Sequence, residues 1–299
     1  MASGASFPAS FFTSLRPEQW SKNAFVFAGL LFGGRLTQGP HYLIAAAAAF
    51  AVFCGLSGVV YLINDVADRS ADAEHPLKRR RPIAAGQLSP AAALAGAAIL
   101  ALVCLGGAFE VSRELGLAGT AYLGLLVLYS FWLKHVVILD VLAIAGGFVL
   151  RAVAGAVAVD VSISPWLLIC VTLLALFLGL SKRRHELTLL GGGAAEHRPI
   201  LDAYSPYLLD QMISVVASAT LVAYSVYTTN SDTAARVGSS NLALTIPFVL
   251  YGIFRYLYLV HREHGGGSPA AMLVTDPPLL ACVGLWGLTV AGMLYRPLG

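Results

Sequence analysis

The sequence predicts an all-α integral membrane protein, a polytopic bundle of about nine transmembrane helices. Of its 299 residues, 58% are hydrophobic, and the mean hydropathy of +0.75 lies far outside the range of soluble proteins. The apolar residues form long unbroken runs, whereas the strands of a membrane β-barrel alternate. Charged residues make up only 12% of the chain and cluster between these runs. The net charge of +3 gives no indication of nucleic-acid binding.

The N-terminal stretch from about 14 to 24 is predicted to be an interfacial helix. Arg16, Trp20 and Lys22 suit the level of the lipid headgroups, and Pro17 suits the first turn of a helix. The first apolar run after it is short and is predicted to continue this helix. The predicted spans are 24–34, 42–64, 91–109, 115–133, 137–158, 166–181, 208–229, 242–260 and 277–295.

No soluble domain is expected, so residues 1–299 are predicted to form a single integral-membrane domain. Its polar loops are predicted at about 65–90 and 182–207. With nine spans, thirteen Lys and Arg residues fall on the side of these loops and four on the other. The positive-inside rule then places the N-terminus and both polar loops in the cytoplasm and the C-terminus outside. The predicted location is the plasma (inner) membrane, with multiple spans.

The densest polar stretch of the chain runs from Asn64 to Pro82. Residues 65–82 hold four acidic and five basic side chains between two membrane-length runs. Asp65, Asp68 and Asp72 are three and four residues apart, so they share one face if the helix continues past Asn64. Carboxylates with water and phosphate are the usual ligands of Mg²⁺. The alternative is a solvated helix end with a positive-inside loop, which explains the arginines but not the aspartate spacing.

A second polar cluster, Ser181 to Glu186, follows the sixth predicted span, and Gly191–Gly193 come after it. Its three consecutive cations, Lys182 to Arg184, are also typical of a topogenic stop signal. Because both clusters are predicted on the same side of the membrane, a carboxylate set and a basic set together favour a metal-complexed polyphosphate ligand.

A third polar set lies in the fourth and fifth predicted spans. Arg151 falls deep inside its span, where an unpaired cation costs a few kcal/mol, so it must face the bundle interior or a wet cavity. A structural pair with Asp140 is the alternative, but eleven residues separate the two, about 16 Å of helix. The sequence therefore favours a ligand anion at Arg151. Lys134 at a span end is weaker as a site residue, since snorkelling explains it equally well.

Several stretches resemble the UbiA-type intramembrane prenyltransferase superfamily, and the resemblance covers nearly the whole chain. It is carried by Asn64-Asp-x-x-Asp68-x-x-x-Asp72 after the second span and by a second polar motif after the sixth. In members that prenylate aromatic acceptors the second motif is aspartate-rich, whereas here it is basic. The sequence instead is similar to the branch of decaprenyl-phosphate phosphoribosyltransferases. The stretches that match this branch are Leu15-Arg-Pro-x-Gln-Trp-x-Lys-Asn23, His75-Pro-x-Lys-x-x-Arg-Pro-Ile83, Tyr129-Ser-x-x-Leu-Lys-His135 and Lys182-Arg-x-x-Glu186.

This resemblance implies a UbiA-like fold and a Mg²⁺-dependent transfer of 5-phosphoribosyl from 5-phosphoribosyl 1-diphosphate (PRPP) to a polyprenyl phosphate such as decaprenyl phosphate. Pyrophosphate is released, and the product serves cell-wall arabinan synthesis. The resemblance implies that Asp65, Asp68 and Asp72 hold Mg²⁺, with Asn64 orienting the site. It further implies that Asp65, Asp68 and Arg151 are the catalytic residues and that Lys78, Arg81, Lys182 and Arg183 bind phosphate oxygens. Three residues, Arg151, Lys134 and Lys22, are the candidates for binding the lipid phosphate, and Tyr129 and Glu186 are further substrate-binding residues. A homo-oligomer is possible.

Two other functions compete with this interpretation. A prenyltransferase acting on an aromatic acceptor would use a prenyl diphosphate and a second acidic site, where this sequence has a basic one. A transporter of a phosphorylated lipid or anion would need a polar pathway across the bilayer, yet the cations lie almost wholly on one predicted side.

Overall fold

The structure is a computed structural model that describes residues 6–76, 78–162, 164–190, 199–231, 233–234, 241–262 and 269–295. All regular elements in these ranges are helices. The described residues divide into two compact units, one within 1–30 and 40–161 and the other within 31–39 and 162–299. That these units act as a single membrane domain stays a prediction.

The first unit holds two short N-terminal helices, four long apolar helices and the polar stretch between the first two of these. Its α-helices are α1 (Phe7–Ser14), α2 (Ala28–Phe32, whose last two residues belong to the second unit), α3 (Pro40–Ala67), α4 (Arg69–Glu74), α5 (Pro90–Val111), α6 (Arg113–Phe131) and α7 (Leu139–Ala158). Three 3₁₀ helices accompany them, at Pro17–Phe27, Lys78–Arg80 and Leu133–His135.

The second unit holds four long apolar helices and one short helix. They are α8 (Pro165–Leu190), α9 (Pro206–Thr229), α10 (Ile246–Arg262), α11 (Pro269–Thr275) and α12 (Pro277–Leu294), with 3₁₀ helices at Pro199–Ala203 and Asn241–Thr245.

Eight helices of the described residues are long and apolar enough to cross a membrane. They correspond to eight of the nine predicted runs, and the all-helical, multi-span fold class is confirmed. The first run, 24–34, is different, because it ends the Pro17–Phe27 3₁₀ helix and then forms only the five residues of α2. The orientation across the membrane stays a prediction, and three cations counted for it, Arg198, Arg236 and Arg296, lie outside the described residues.

Three of the long helices begin with a polar capping residue that is followed by proline. The Ser89 hydroxyl accepts a hydrogen bond from the Ala92 amide at 3.2 Å, and Pro90 follows as the first residue of α5. Ser205 caps α9 and Asp276 caps α12 in the same way, each followed by proline. The capping oxygen satisfies an amide that the helix leaves unpaired, and proline needs no partner there.

The predicted interfacial helix at 14–24 is wrong in its bounds. The first α-helix ends at Ser14, and Arg16 adopts a left-handed backbone with φ of 53° before the 3₁₀ helix begins at Pro17. Steric contact with the proline ring disfavours a right-handed helical residue at position 16. Pro17 itself occupies the first turn, as predicted.

The 3₁₀ helix packs directly against the backbone of α7. A Cβ placed on Gly155 would lie 1.6 Å from the carbonyl oxygen of Val26, and one on Gly29 would lie 2.5 Å from the Cα of Ala156. Only glycine permits so close an approach. The small residues of the fifth predicted span therefore bring the 3₁₀ helix, which carries Asn23, next to Arg151.

The predicted polar loop at 182–207 is largely helical where it is described. Helix α8 continues to Leu190, nine residues past the end of the predicted span. Glu186 pairs with Arg183 and Lys182, three and four residues earlier, which supports helix beyond the apolar run. Gly191–Gly193, which follow this cluster, lie outside the described residues. In the loop at 65–90, residues 65–67, 69–74 and 78–80 are likewise helical.

One stability prediction arises from the start of α12. Asp276 accepts the Leu279 amide at 2.8 Å, and both its oxygens bind the Arg255 guanidinium, at 3.1 and 2.7 Å. The hydrogen bond from Arg255 holds the pKa of Asp276 below its ordinary value. A lowered pKa in the folded state adds stability above the unfolded value, near pH 4, and this stability is lost as the pH falls through the lowered pKa.

We therefore expect Asp276→Asn, which keeps a capping oxygen but has no charge, to lower the thermal stability in detergent at pH 7. Asp276→Ala should lower it further, by about 1 kcal/mol for the lost cap. Thermal denaturation of wild type and both variants between pH 7 and pH 3 measures this. The difference in thermal stability between wild type and Asp276→Asn should narrow as the pH falls below about 4, and a difference that is constant from pH 7 to pH 3 would contradict the assignment.

Candidate active site

The aspartate stretch forms the end of α3 and the turn into α4. The Asp68 amide donates to the Asn64 carbonyl at 2.9 Å, and the Asp72 amide donates to the Asp68 carbonyl at 2.8 Å. The helical path therefore continues past Asn64 and through the break between α3 and α4, which is the condition that the spacing argument required. Asp65 and Asp72 are buried, whereas Asp68 is half-buried.

Arg81 bridges the two buried carboxylates. Its Nη1 donates to Asp65 Oδ1 at 3.1 Å and to Asp72 Oδ2 at 2.5 Å. The Lys78 ammonium lies 3.9 Å from the other oxygen of Asp72. Two carboxylates seven residues apart thus converge on one guanidinium nitrogen, and their repulsion is offset by shared positive charge.

The loop that carries Arg81 is anchored by local turns and by apolar packing. The amide of Arg81 donates to the Lys78 carbonyl at 2.9 Å, and its own carbonyl accepts from the Ala85 amide at 2.8 Å. Ile83 and Leu88 are fully buried against α3 and α5. The guanidinium is therefore presented by a fixed loop, in contrast to Arg79 and Arg80, which are exposed.

Arg16 is a site residue that the sequence analysis assigned only to the headgroup level. Its Nη2 donates to Asp65 Oδ1 in a close ion pair, and its guanidinium lies 4.7 Å from the centroid of the Tyr61 ring. The left-handed backbone at Arg16 directs the chain into this contact at a conformational cost of about 1–2 kcal/mol. The signal that could have identified it is the stretch from Leu15 to Asn23, in which it stands next to Pro17.

Lys134 reaches the third aspartate. Its Nζ lies 2.6 Å from Asp68 Oδ1, and the Asn64 side-chain amide donates to Asp68 Oδ2 at 3.0 Å. Lys134 belongs to the 3₁₀ helix between α6 and α7, so this ion pair ties that turn to the end of α3. The side chain of Lys134 is mostly buried, which differs from the snorkelling alternative.

The donor set at the end of α3 fits Mg²⁺ only together with a substrate. Among the residues that the structure describes, no three His, Cys, Asp or Glu side chains gather closely enough to hold a metal ion by themselves. Mg²⁺ is often bound by one or two carboxylates, with substrate phosphates and water in the other positions. Asp65 and Asp72, which converge on one nitrogen atom, match that donor chemistry. The roles of Asp65, Asp68 and Asp72 as ligands stay predictions.

Arg151 is buried in a network of neutral groups within the first unit. It is 6% exposed, and its Nε and Nη2 donate to Asn23 Oδ1 at 2.7 Å and to the Tyr122 hydroxyl at 2.6 Å. Asp140, the partner considered from the sequence, is not among these contacts. Neither Asn23 nor Tyr122 was predicted as a site residue. Asn23 ends a recognised motif, but Tyr122 lies in an apolar run that carried no signal.

The second predicted motif lies in the second unit, at the C-terminal end of α8. Arg183 is buried and donates to Glu186 at 2.7 Å, while Lys182 is exposed and lies 3.8 Å from the same carboxylate. Arg184 forms an ion pair with Asp210 of α9, and His261 of α10 lies 3.2 Å from that carboxylate. The predicted phosphate-binding cations are thus held by acidic partners within their own unit.

Two other predicted substrate-binding residues lie in the first unit and are half-buried. Lys22 precedes Asn23 in the 3₁₀ helix, and Tyr129 lies five residues before Lys134, near the end of α6. Their roles stay predictions.

Comparison with known proteins shows similarity over most of the chain. The profile of the UbiA prenyltransferase family matches residues 23–275. The decaprenyl-phosphate phosphoribosyltransferase of Corynebacterium glutamicum is 32% identical over 286 residues, which cover 94% of this chain and 86% of that protein. The protein of the same name from Mycobacterium tuberculosis is 33% identical over 290 residues, which cover 96% and 94%.

The fold is similar to that of a solved structure. A UbiA homolog from Archaeoglobus fulgidus, bound to GPP and Mg²⁺, matches with a TM-score of 0.73 at 16% sequence identity. The match covers 95% of this chain and 99% of that one.

Proposed function

The chain belongs to the UbiA prenyltransferase family, and within it we propose a phosphoribosyltransferase. The proposed reaction moves the 5-phosphoribosyl group of PRPP to a polyprenyl phosphate, such as decaprenyl phosphate, and releases pyrophosphate. It is supported by two relatives of that name that are 32% and 33% identical over most of both chains.

One feature of the geometry carries this proposal: the excess of cations around the aspartates. Among the described residues, Arg16, Lys78, Arg81 and Lys134 form ion pairs with only three carboxylates, those of Asp65, Asp68 and Asp72. Lys182 and Arg183 of the second motif, which belong to the other unit, are included in the proposal from the sequence alone. A donor with a 5-phosphate besides its diphosphate needs this additional positive charge, whereas a prenyl diphosphate carries one anionic group fewer.

In the proposed mechanism the protein binds and orients two phosphorylated substrates. Asp65, Asp68 and Asp72 would hold Mg²⁺, which neutralises the diphosphate and stabilises the departing pyrophosphate. Asn64 orients Asp68, and Lys78, Arg81, Lys182 and Arg183 bind phosphate oxygens. The bond between C1 of the ribose and the diphosphate oxygen breaks with oxocarbenium character, and an oxygen of the lipid phosphate attacks C1 from the opposite face.

No general base is required for this reaction, because the attacking phosphate oxygen is already ionised at neutral pH. The chain's own contribution is therefore charge placement and alignment. We propose that Lys22 and Tyr129 border the substrates. Glu186 fixes Arg183 through its 2.7 Å hydrogen bond.

We also propose that the protein lies in the plasma membrane with its N-terminus and active site facing the cytoplasm. Eight apolar helices and family membership support a multi-pass membrane protein. The charge asymmetry of the loops and a soluble donor both favour the cytoplasmic side. The product would supply phosphoribosyl units for cell-wall arabinan.

The test of the proposed function uses purified protein in detergent with a polyprenyl phosphate and PRPP labelled in the ribose. Label should appear in the lipid phase and increase with time. A matched reaction supplies a labelled prenyl diphosphate and an aromatic acid. Label transfer in the second reaction but not in the first would overturn the phosphoribosyl donor and favour aromatic prenylation.

A further inference from the structure

Arg151 carries a positive charge that no acidic side chain of the described residues neutralises. It lies near the middle of α7, which is apolar enough to span the membrane, and only 6% of it is exposed. Its polar contacts are the oxygens of Asn23 and Tyr122, and its guanidinium also lies 4.8 and 5.0 Å from the ring centroids of Tyr122 and Phe148. A cation at this depth is costly unless a ligand or water offsets its charge.

The guanidinium is held rigidly on one side. Asn23, which is fully buried, also accepts from Ser57 Oγ at 3.2 Å and donates to Cys54 Sγ at 3.3 Å. The Tyr122 hydroxyl lies 3.4 Å from Ser57 Oγ. The groups that bind Nε and Nη2 of Arg151 are therefore held in place by further hydrogen bonds. A guanidinium that is anchored in this way presents its other N–H donors in a fixed direction.

Three of the five N–H groups of the guanidinium remain, one on Nη2 and two on Nη1, and Nη1 makes no hydrogen bond to the described residues. Gly147, one turn earlier on α7, faces this atom. A Cβ placed on Gly147 would lie 3.5 Å from Nη1, 3.6 Å from Leu126 Cδ2 and 3.7 Å from Tyr122 Cε2. These are ordinary van der Waals distances, so the absent side chain leaves a space about the size of a methyl group against an unused N–H donor.

We propose that Arg151 Nη1, with the space beside Gly147, binds an anionic phosphate oxygen of the polyprenyl phosphate acceptor. This inference rests on the proposed function and assigns a binding position to one of its two substrates, the lipid acceptor. The alternative source of the same phosphate chemistry is the 5-phosphate of PRPP.

Position along α3 favours the lipid. Ser57, Tyr61 and Asp65 are spaced four residues apart on one face of this helix. Ser57 belongs to the Arg151 network and Asp65 to the aspartate ion pairs, so the two clusters are about 12 Å apart along the axis. Tyr61 lies between them along α3, and the Arg16 guanidinium lies 4.7 Å from the centroid of its ring.

Arg151 therefore lies deeper in the span than the aspartates. A diphosphate held at the helix end and a ribose ring can cover the distance between the two clusters. The attacking phosphate must then stand on the far side of the sugar from the diphosphate, which is the side of Arg151. A lipid with its chain in the bilayer reaches that depth readily.

The decisive variant is Gly147→Ala, which fills the space beside Nη1 without a steric clash. We expect the KM for polyprenyl phosphate to rise roughly tenfold and the KM for PRPP to stay within about twofold. Gly124→Ala on α6 is the matched control, since its new methyl group meets nothing within 4 Å. Both changes favour helix, so a loss confined to Gly147→Ala is not a folding effect. Arg151→Lys, which keeps the charge but not the fork, should raise the same KM at least as much.

Binding without turnover separates this inference from the proposed function. Wild type should bind a polyprenyl phosphate more tightly than the polyprenol of equal length, and Gly147→Ala should lose most of that difference. If wild type binds the phosphate but transfers nothing from PRPP, the proposed function fails and the site stands. If transfer occurs and neither KM changes in Gly147→Ala, the site is overturned. A rise in the KM for PRPP alone would assign the site to the 5-phosphate and overturn the lipid assignment.

Discussion

Asp65→Asn is expected to lower the rate of phosphoribosyl transfer by about a thousandfold or more. Asp65 is 2% exposed and binds both Arg16 and Arg81, so its charge lies at the centre of the aspartate cluster. Asparagine has nearly the same shape and still accepts hydrogen bonds, but it brings no negative charge to Mg²⁺. The measurement is label transfer from PRPP to lipid at saturating concentrations of both.

The control for this variant is Glu74→Gln, which removes one negative charge from the same polar stretch. Glu74 is exposed at the end of α4, so its rate should stay within about twofold of wild type. Removal of Mg²⁺ by a chelator should lower wild-type transfer as far as Asp65→Asn does, and added Mg²⁺ should restore it. Near-normal transfer by Asp65→Asn, or by wild type with chelator, would contradict the metal role of this carboxylate.

Arg81→Gln is expected to lower kcat/KM for PRPP by about a hundredfold. Among the three consecutive arginines at 79–81, Arg81 is the one that bridges Asp65 and Asp72, at 3.1 and 2.5 Å. Without it the two carboxylates repel each other and the donor loses a phosphate contact. Steady-state kinetics with PRPP as the varied substrate give the effect, and the KM for the lipid should change little.

Arg80→Gln makes the same change of charge one residue away. Arg80 is exposed. Both variants remove one positive charge from the loop, so any effect of loop charge on membrane orientation is the same in both. We expect Arg80→Gln to keep its kcat/KM within about threefold of wild type. Equal losses in the two variants would mean that the charge of the loop matters and the bridge does not. Thermal denaturation of both variants in detergent separates a loss of fold from a loss of binding.

The helices of this chain were predictable because the bilayer imposes a simple requirement. A span must be long and apolar, so hydropathy alone located eight helices, including Pro90–Val111 against a predicted 91–109. Hydropathy shows where the apolar part of a helix ends, whereas the helix itself continues as long as its backbone hydrogen bonds do. For that reason α8 was predicted to stop at 181 but continues through Lys182 and Glu186 to Leu190.

The predicted site was clearest where its residues are neighbours in sequence. The spacing of Asp65, Asp68 and Asp72, and the presence of a basic stretch just after them, follow from the sequence alone. Which cation meets which carboxylate does not, because Arg81 and Arg80 are equivalent in composition and only the turn after Lys78 directs one of them inward. The close pair of Arg16 and Asp65 joins residues that are 49 positions apart.

Hydropathy and residue spacing are enough to predict a multi-span helical membrane protein with an aspartate-rich end to one helix and a buried arginine in another. Residue spacing and hydropathy are local properties of the sequence, and they are sufficient to predict these features. The partners of that arginine depend on how distant parts of the chain pack together. The approach of Val26 to Gly155 brings Asn23 to Arg151 across 128 residues of chain, and α6 supplies Tyr122. Neutral oxygens and an unused donor beside Gly147 arise from that packing, which no local pattern encodes.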